Sequence, residues 1–122
     1  MKIITWNINS RTNEETLKGQ SDFLKSGDFD LITLQEVTLN SEGFFKESFK
    51  DMYILSSFDL VSDKSILVKN RKYGQLIISK KPIKLVSDPC TEIPFPERVL
   101  SGFIETFGLE IHTTHVPPGS SN

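Results

Sequence analysis

Cysteine is nearly absent from this chain: Cys90 is the only one in 122 residues. An intrachain disulfide is therefore excluded and nothing asks for an oxidising compartment, so the cytoplasm is the expected location. No apolar run approaches the roughly 20 residues needed to cross a bilayer, so no membrane span is expected. The opening stretch MKIITWNIN is interrupted by Asn7 and Asn9 before a signal peptide's apolar segment can form. Cys/His spacing for zinc is missing, as are a P-loop and a GxGxxG run. There is no GxSxG, and the lone cysteine has no catalytic context, so covalent serine or cysteine chemistry has no support.

What is present suits one small soluble domain over residues 1–122, with 37% hydrophobic and 25% charged residues. Nine phenylalanines in so short a chain mean much apolar area in need of cover. The net charge of −2 hides an uneven layout. Lys69, Arg71, Lys72, Lys80, Lys81 and Lys84 cluster with no acid among them, whereas residues 14–63 carry eleven of the sixteen acids. A basic segment facing an acidic one fits an anionic substrate beside a cation site. Lysines flanking an apolar strand such as YGQLIIS also guard it against edge pairing, which is the plainer reading.

Taken in order, residues 2–9 alternate as a strand whose one face turns polar toward its end. Thr12 or Asn13 can cap a helix over 14–26, with Glu14 and Glu15 in its first turn and Gly27 as its stop. Residues 30–37, DLITLQEV, form a strand apolar enough for a sheet interior, closed by Gln35 and Glu36. Strand, helix, strand with this spacing is a right-handed crossover joining parallel strands, and ligands collect at the carboxyl ends of such strands. Asn7 and Glu36 occupy those two ends. A second helix is expected from Ser41–Glu42 through Phe44, Phe45, Phe49 and Met52. Short strands follow at 53–57, 65–69, 73–79, 83–86, 99–106 and 109–115, the last two joined as a hairpin about Phe107 and Gly108.

Four residues carry candidate chemistry, and each has a plain alternative. Glu36 is an oxygen ligand suited to a hard divalent ion, or simply a strand end turning polar. Asn7 can hold that carboxylate or a phosphoryl oxygen, or pair with backbone. Arg98 can grip a phosphate with its fork of donors, or pair with Glu97 or Glu105. His115 can trade protons near neutrality, or sit as a satisfied half-buried histidine. His112, on the opposite face of its strand from His115, is given no role.

With these residues in place, TWNIN at 5–9, LQEV at 34–37, YGQLIISKKPI at 73–83, RVLSGFIET at 98–106 and THVPPGSSN at 114–122 resemble the endonuclease/exonuclease/phosphatase superfamily. These are metal-dependent phosphodiesterases that include AP endonucleases and type I deoxyribonucleases. The resemblance implies an α+β fold, the amino-terminal half of a four-layer αββα sandwich, with a mixed β-sheet and helices on one face. It implies hydrolysis of a phosphodiester or phosphomonoester by metal-activated water, with Mg2+, or Mn2+ in its place. Carried over by position, Glu36 and Asn7 serve the metal, Asn7 and Arg98 the substrate phosphate, and His115 is catalytic. DNA or RNA is the favoured substrate class.

The later motifs of that superfamily, an Asp-x-Asn pair and a closing Asp-His pair, do not occur in residues 1–122. The expectation is a nuclease-like fragment without its base, inactive alone, whose partner is a missing carboxyl-terminal half or a complementary chain. The rival reading is a non-catalytic half-domain that binds a partner chain or an anionic ligand. A lone sheet would also leave an apolar face wet, which independently argues for more polypeptide.

Overall fold

The strand β1 (Ile3–Asn7) and the strand β2 (Leu31–Val37) pair in parallel, with Ile3 beside Leu31 and Asn7 beside Gln35. The helix α1 (Glu14–Ser26) makes the crossover between them. In the computed structural model, residues 1–9, 11–60, 73–86 and 99–114 are described. Arg98, His115 and the strand expected at 65–69 lie outside that set.

Of the two expected caps for α1, Asn13 does the work: its side chain accepts the Thr16 N–H at 3.1 Å. Leu17, Ser21 and Leu24 recur at helical spacing and are buried. Gly27 follows the helix with φ −75°, and the left-handed position passes to Asp28 at φ 50°. Asp tolerates that conformation better than most residues. The Phe29 ring fills the space a side chain on residue 27 would need. Gly27 is thus fixed by packing as well as by helix termination.

The helix α2 spans Leu39–Ser48, starting earlier and ending sooner than its phenylalanine spacing suggested. Thr38 and Ser41 form a reciprocal capping box: each side chain receives the other's backbone N–H, at 3.1 and 2.9 Å. That box moves the start forward, and Met52 falls in the turn beyond the helix. Inside α2, Glu42 is only 8% exposed, where it accepts the Ser56 hydroxyl and lies 3.3 Å from Lys46 Nζ.

The strands β3 (Tyr53–Ser56) and β4 (Gly74–Ser79) complete a four-stranded sheet in the order β1-β2-β4-β3, mixed because only β1 and β2 are parallel. A second, antiparallel sheet holds β5 (Lys84–Leu85), β6 (Val99–Ile104) and β7 (Leu109–Thr114). The expected hairpin joins β6 to β7 through a 3-10 turn at Glu105–Phe107, and Gly108 supplies the left-handed residue at φ 60°.

Alternation along the strands sorts two cores. Ile32, Leu34, Leu76 and Ile78 point with Leu17, Leu24, Phe45 and Phe49 into the helix-side core. Leu31 and Ile77 point the other way, against Leu100 and Ile104 of the second sheet. The helices on one face of a mixed sheet are the expected α+β arrangement. The second sheet corrects the expectation of a lone one, because Leu100 and Ile104 cover the apolar face that a lone sheet would leave wet.

Candidate metal and phosphate site

Asn7 and Glu36 are 29 positions apart in sequence, and Asn7 Nδ2 donates to Glu36 Oε2 at 2.8 Å. The amide is oriented from its other end, because Asn7 Oδ1 accepts the Asn9 backbone N–H at 2.9 Å. Since a backbone N–H can only donate, that bond assigns oxygen and nitrogen within the Asn7 amide. Asn9 stands at φ 58°, a left-handed position that asparagine accepts at little cost.

Glu36 is placed by a break in the ladder. Leu34 pairs with Leu76 and Val37 pairs with Gly74, so Gln35 and Glu36 together face the single residue Gln75. This is a β-bulge. It reverses the parity of the strand: Val37, not Glu36, continues Ile32 and Leu34 into the helix-side core. Glu36 takes φ 54°, rare for a residue with a long unbranched side chain, at a cost of about 1–2 kcal/mol. Gly74 permits the close approach beside the bulge, since a Cβ there would meet Ser57 Oγ at 2.7 Å and the Phe58 ring at 2.8 Å.

Beneath the carboxylate lies a polar layer that the linear sequence did not announce. Gln35 Nε2 has the hydroxyls of Thr5, Thr33 and Thr113 at 3.0, 3.3 and 3.1 Å. Thr113 in turn donates to Gln75 Oε1 at 2.7 Å. The two ends of this network are 38 and 78 positions from Thr113 in sequence, so only the packing of the two sheets could reveal it. A groove of about 700 Å³ opens beside it, between Ile3, Thr5 and Asn7 of β1 and the strand β7.

Arg98 and His115 fall outside the described residues, as do Lys69, Arg71 and Lys72. Lys80 is described, and it sits at the far end of the sheet: Ser79 pairs with Leu31, about 17 Å along β2 from Glu36 at ~3.3 Å per residue. Its ammonium meets Asp28 at 2.6 Å and Asp30 at 3.9 Å. Hydrogen bonding to Lys80, then its charge, holds the Asp28 carboxyl below its ordinary value and raises Lys80. The plainer reading of this lysine, a flanking charge that closes a strand, is the one its contacts fit. His112, given no role from sequence, bonds Ser101 Oγ through Nδ1 at 2.7 Å and Glu110 through Nε2 at 2.8 Å.

The described residues hold no cluster of three or more His, Cys, Asp or Glu side chains. The donor set at the strand ends is one carboxylate beside one amide, both oxygen-bearing and solvent-accessible. That chemistry fits a hard divalent ion that keeps most of its waters, with Glu36 as the anionic ligand. Asn7 Oδ1 retains a second lone pair beyond the one given to Asn9.

Two stacked sheets with helices on the mixed one, and the Glu36 carboxylate at the parallel strand ends, make up a phosphoesterase- and nuclease-like fold, as its family and similar structures support. The chain belongs to the Endonuclease/Exonuclease/phosphatase family, whose sequence model matches residues 4–121. Its fold is similar to an AP endonuclease from Archaeoglobus fulgidus, with TM-score 0.69, 21% identity, and coverage of 96% of this chain and 41% of that one. D. rerio TDP2 complexed with single strand DNA product gives TM-score 0.66 at 16% identity, covering 100% of this chain and 48% of that one. Mannosyl-6-phosphatase Bt3783 of Bacteroides thetaiotaomicron gives TM-score 0.53 at 12% identity, covering 92% and 49%. The chain therefore spans less than half the length of each of these structures. No curated protein sequence matches it.

Proposed function

We propose that this chain carries the metal-holding half of a divalent-metal-dependent phosphoesterase that cleaves phosphodiester or phosphomonoester bonds, nuclease-like in its substrate. The observation that carries the reading is the Asn7–Glu36 contact at 2.8 Å, on a strand end whose bulge turns the glutamate out of the core. A strained left-handed glutamate persists only where the surrounding structure over-determines it, and such strain gathers at functional sites. Glu36 holds Mg2+, or Mn2+ in its place. Asn7 orients the carboxylate and offers its remaining lone pair to the ion. When bound, the ion supplies charge neutralisation at the phosphate and activation of water. Arg98 binds the phosphate and His115 exchanges a proton near it, roles taken from the family pattern.

DNA as substrate is supported by the similarity to TDP2 seen with single strand DNA product. The cytoplasm suits a chain with one cysteine. In the structure, no helix among the described residues is long and apolar enough to cross a membrane.

A second polypeptide segment completes the site. The groove face of β1 supports this, because Ile3 lines the groove and is 52% exposed. A water attacking phosphate needs a positioned proton acceptor as well as a metal, and the Asp-His pair that serves the family does not occur in residues 1–122. The same groove also favours the non-catalytic alternative, a half-domain that binds a partner chain.

Magnesium binding by the chain, measured by calorimetry with Glu36→Ala as control, separates the two readings. Binding that the substitution abolishes is expected. Equal binding by both would remove Glu36 from the metal site and leave the partner-binding half-domain.

A further inference from the structure

The two glutamines on either side of the bulge are joined by one hydroxyl that comes from the other sheet. Gln35 Nε2 donates to Thr113 Oγ1 at 3.1 Å, and Thr113 Oγ1 donates to Gln75 Oε1 at 2.7 Å. The directions follow from the orientation of the two amides, with Oε1 of Gln75 and Nε2 of Gln35 facing the hydroxyl. A carbonyl oxygen only accepts, so the single hydroxyl hydrogen of Thr113 goes to Gln75, and the same oxygen must accept from Gln35. Gln75 is fully buried and Thr113 is 6% exposed, so water is poorly placed to substitute for either partner. Gln75 is also the residue opposed by both Gln35 and Glu36 where β2 gains its extra residue.

We infer that Thr113 is a positioning residue for the Glu36 carboxylate. Its hydroxyl clamps Gln35 to Gln75 across the bulge and so holds Glu36 turned toward Asn7. The inference rests on the reading of Glu36 as the metal-holding group.

The competing arrangement is the regular register, with Gln35 opposite Gln75 and Glu36 opposite Gly74. In that register Glu36 enters the helix-side face behind Leu34, and Val37 turns toward the second sheet. Burial of Val37 in the helix-side core already disfavours the slip. What Val37 cannot settle is where residues 35 and 36 point within the bulge, since an extra residue has no ladder partner of its own. The Gln35 amide answers that. Its two hydrogens are shared among three threonine hydroxyls on the inner face, and Thr113 alone among these ties it to the opposite side of the bulge. With Gln35 drawn inward, Glu36 is turned outward to Asn7. The seating of the second sheet on the first is thereby linked to the pose of the carboxylate.

The test uses the 122-residue chain, isotopically labelled, with Thr113→Val and Thr113→Ser. Valine keeps the shape and removes the hydroxyl; serine keeps the hydroxyl. Without metal, the Glu36 carbon shifts report its left-handed backbone and the Asn7 side-chain amide signals report the contact to Glu36. Thr113→Val is expected to stay folded by circular dichroism while both sets of signals move, and Thr113→Ser to retain the parent signals. Mg2+ titration is expected to show a loss of affinity in the valine variant of up to about 10-fold, the low end of what removing a direct partner of a ligand costs, since Thr113 acts through Gln35. The serine variant is expected to recover the parent affinity.

Parent-like Glu36 and Asn7 signals in Thr113→Val, with stability alone reduced, would overturn the assignment. Should Thr113→Val not fold, Thr113→Ala removes the same hydroxyl without placing a second methyl between Gln35 and Gln75. Moved signals would then support the clamp, and unmoved ones would refute it. If the parent chain shows no response to Mg2+, the metal reading of Glu36 fails. The metal-free signals still decide the clamp.

Discussion

Three residues other than glycine have positive φ among those described: Asn9, Asp28 and Glu36. Asn and Asp take that conformation readily because their short side chains bond the local backbone; Glu has no such compensation. Substituting Glu36 therefore separates its side chain from its backbone. Glu36→Ala and Glu36→Gly both lose the bond to Asn7, but only glycine relieves the left-handed strain. In chemical denaturation Glu36→Gly is expected to be the more stable of the two by about 1 kcal/mol. Equal stabilities would mean that residue 36 is not held in the left-handed region. At the other end of β2, the pair Asp28–Lys80 sets a pH dependence. The lowered Asp28 pKa contributes stability that is present above its ordinary 3.8 and is lost as pH falls through the lower folded value. The raised Lys80 pKa contributes stability that is present below 10.5 and is lost as pH rises through the higher folded value. Lys80→Met is expected to flatten the acid limb of stability below about pH 4 without touching magnesium binding, measured by denaturant melts across pH.

At the scale of elements, the crossover β1–α1–β2 was legible because each signal in it is local. Asn13 and the first-turn acids mark the start of α1, Leu17, Leu24 and their neighbours give its face, and the apolar run at 31–34 fixes β2. The proximity of Asn7 to Glu36 followed from that topology alone. The bulge was not seen, although the sequence holds a trace of it. Ile32 and Leu34 recur at a spacing of two, and the next core residue, Val37, comes after three. Gln35, Gln75 and Thr113 were missed because their partnership is entirely non-local and single polar residues in strands carry no periodic signal. The bounds of α2 shifted because a capping box at Thr38 and Ser41 outweighed the phenylalanine spacing. Gly74, read only as part of a strand, is a packing requirement beside the bulge. Gly74→Ala is expected to destabilise the chain by about 1–3 kcal/mol in denaturant melts, since Ser57 and the Phe58 ring must move. A neutral result would mean that β4 does not approach them this closely.

Over the whole molecule, charge and shape separate into two ends of one sheet. The Asp28–Asp30–Lys80 group closes one end, and Asn7 and Glu36 occupy the other. Among the described residues the sheet edges are β1 and β3 in one sheet and β5 and β7 in the other. β5 is two residues long, carries Lys84 and follows Pro82, devices that blunt an edge, whereas β1 and β7 are longer and flank the groove. The chain covers 41% to 49% of the similar structures, and the groove flanked by β1 and β7 lies beside Gln35. Purified alone with Mg2+ and bis-p-nitrophenyl phosphate, it is expected to show no turnover; turnover lost in Glu36→Ala would mean that the 122 residues complete the site. The central claim, that Glu36 at the bulge is the metal handle, is tested most directly by Mn2+ as a paramagnetic probe on the labelled chain. The account predicts that the signals of Asn7 and Glu36 broaden first and that Glu36→Ala removes the effect. Broadening centred instead on Asp28 and Asp30, or on Glu110 and His112, would contradict it.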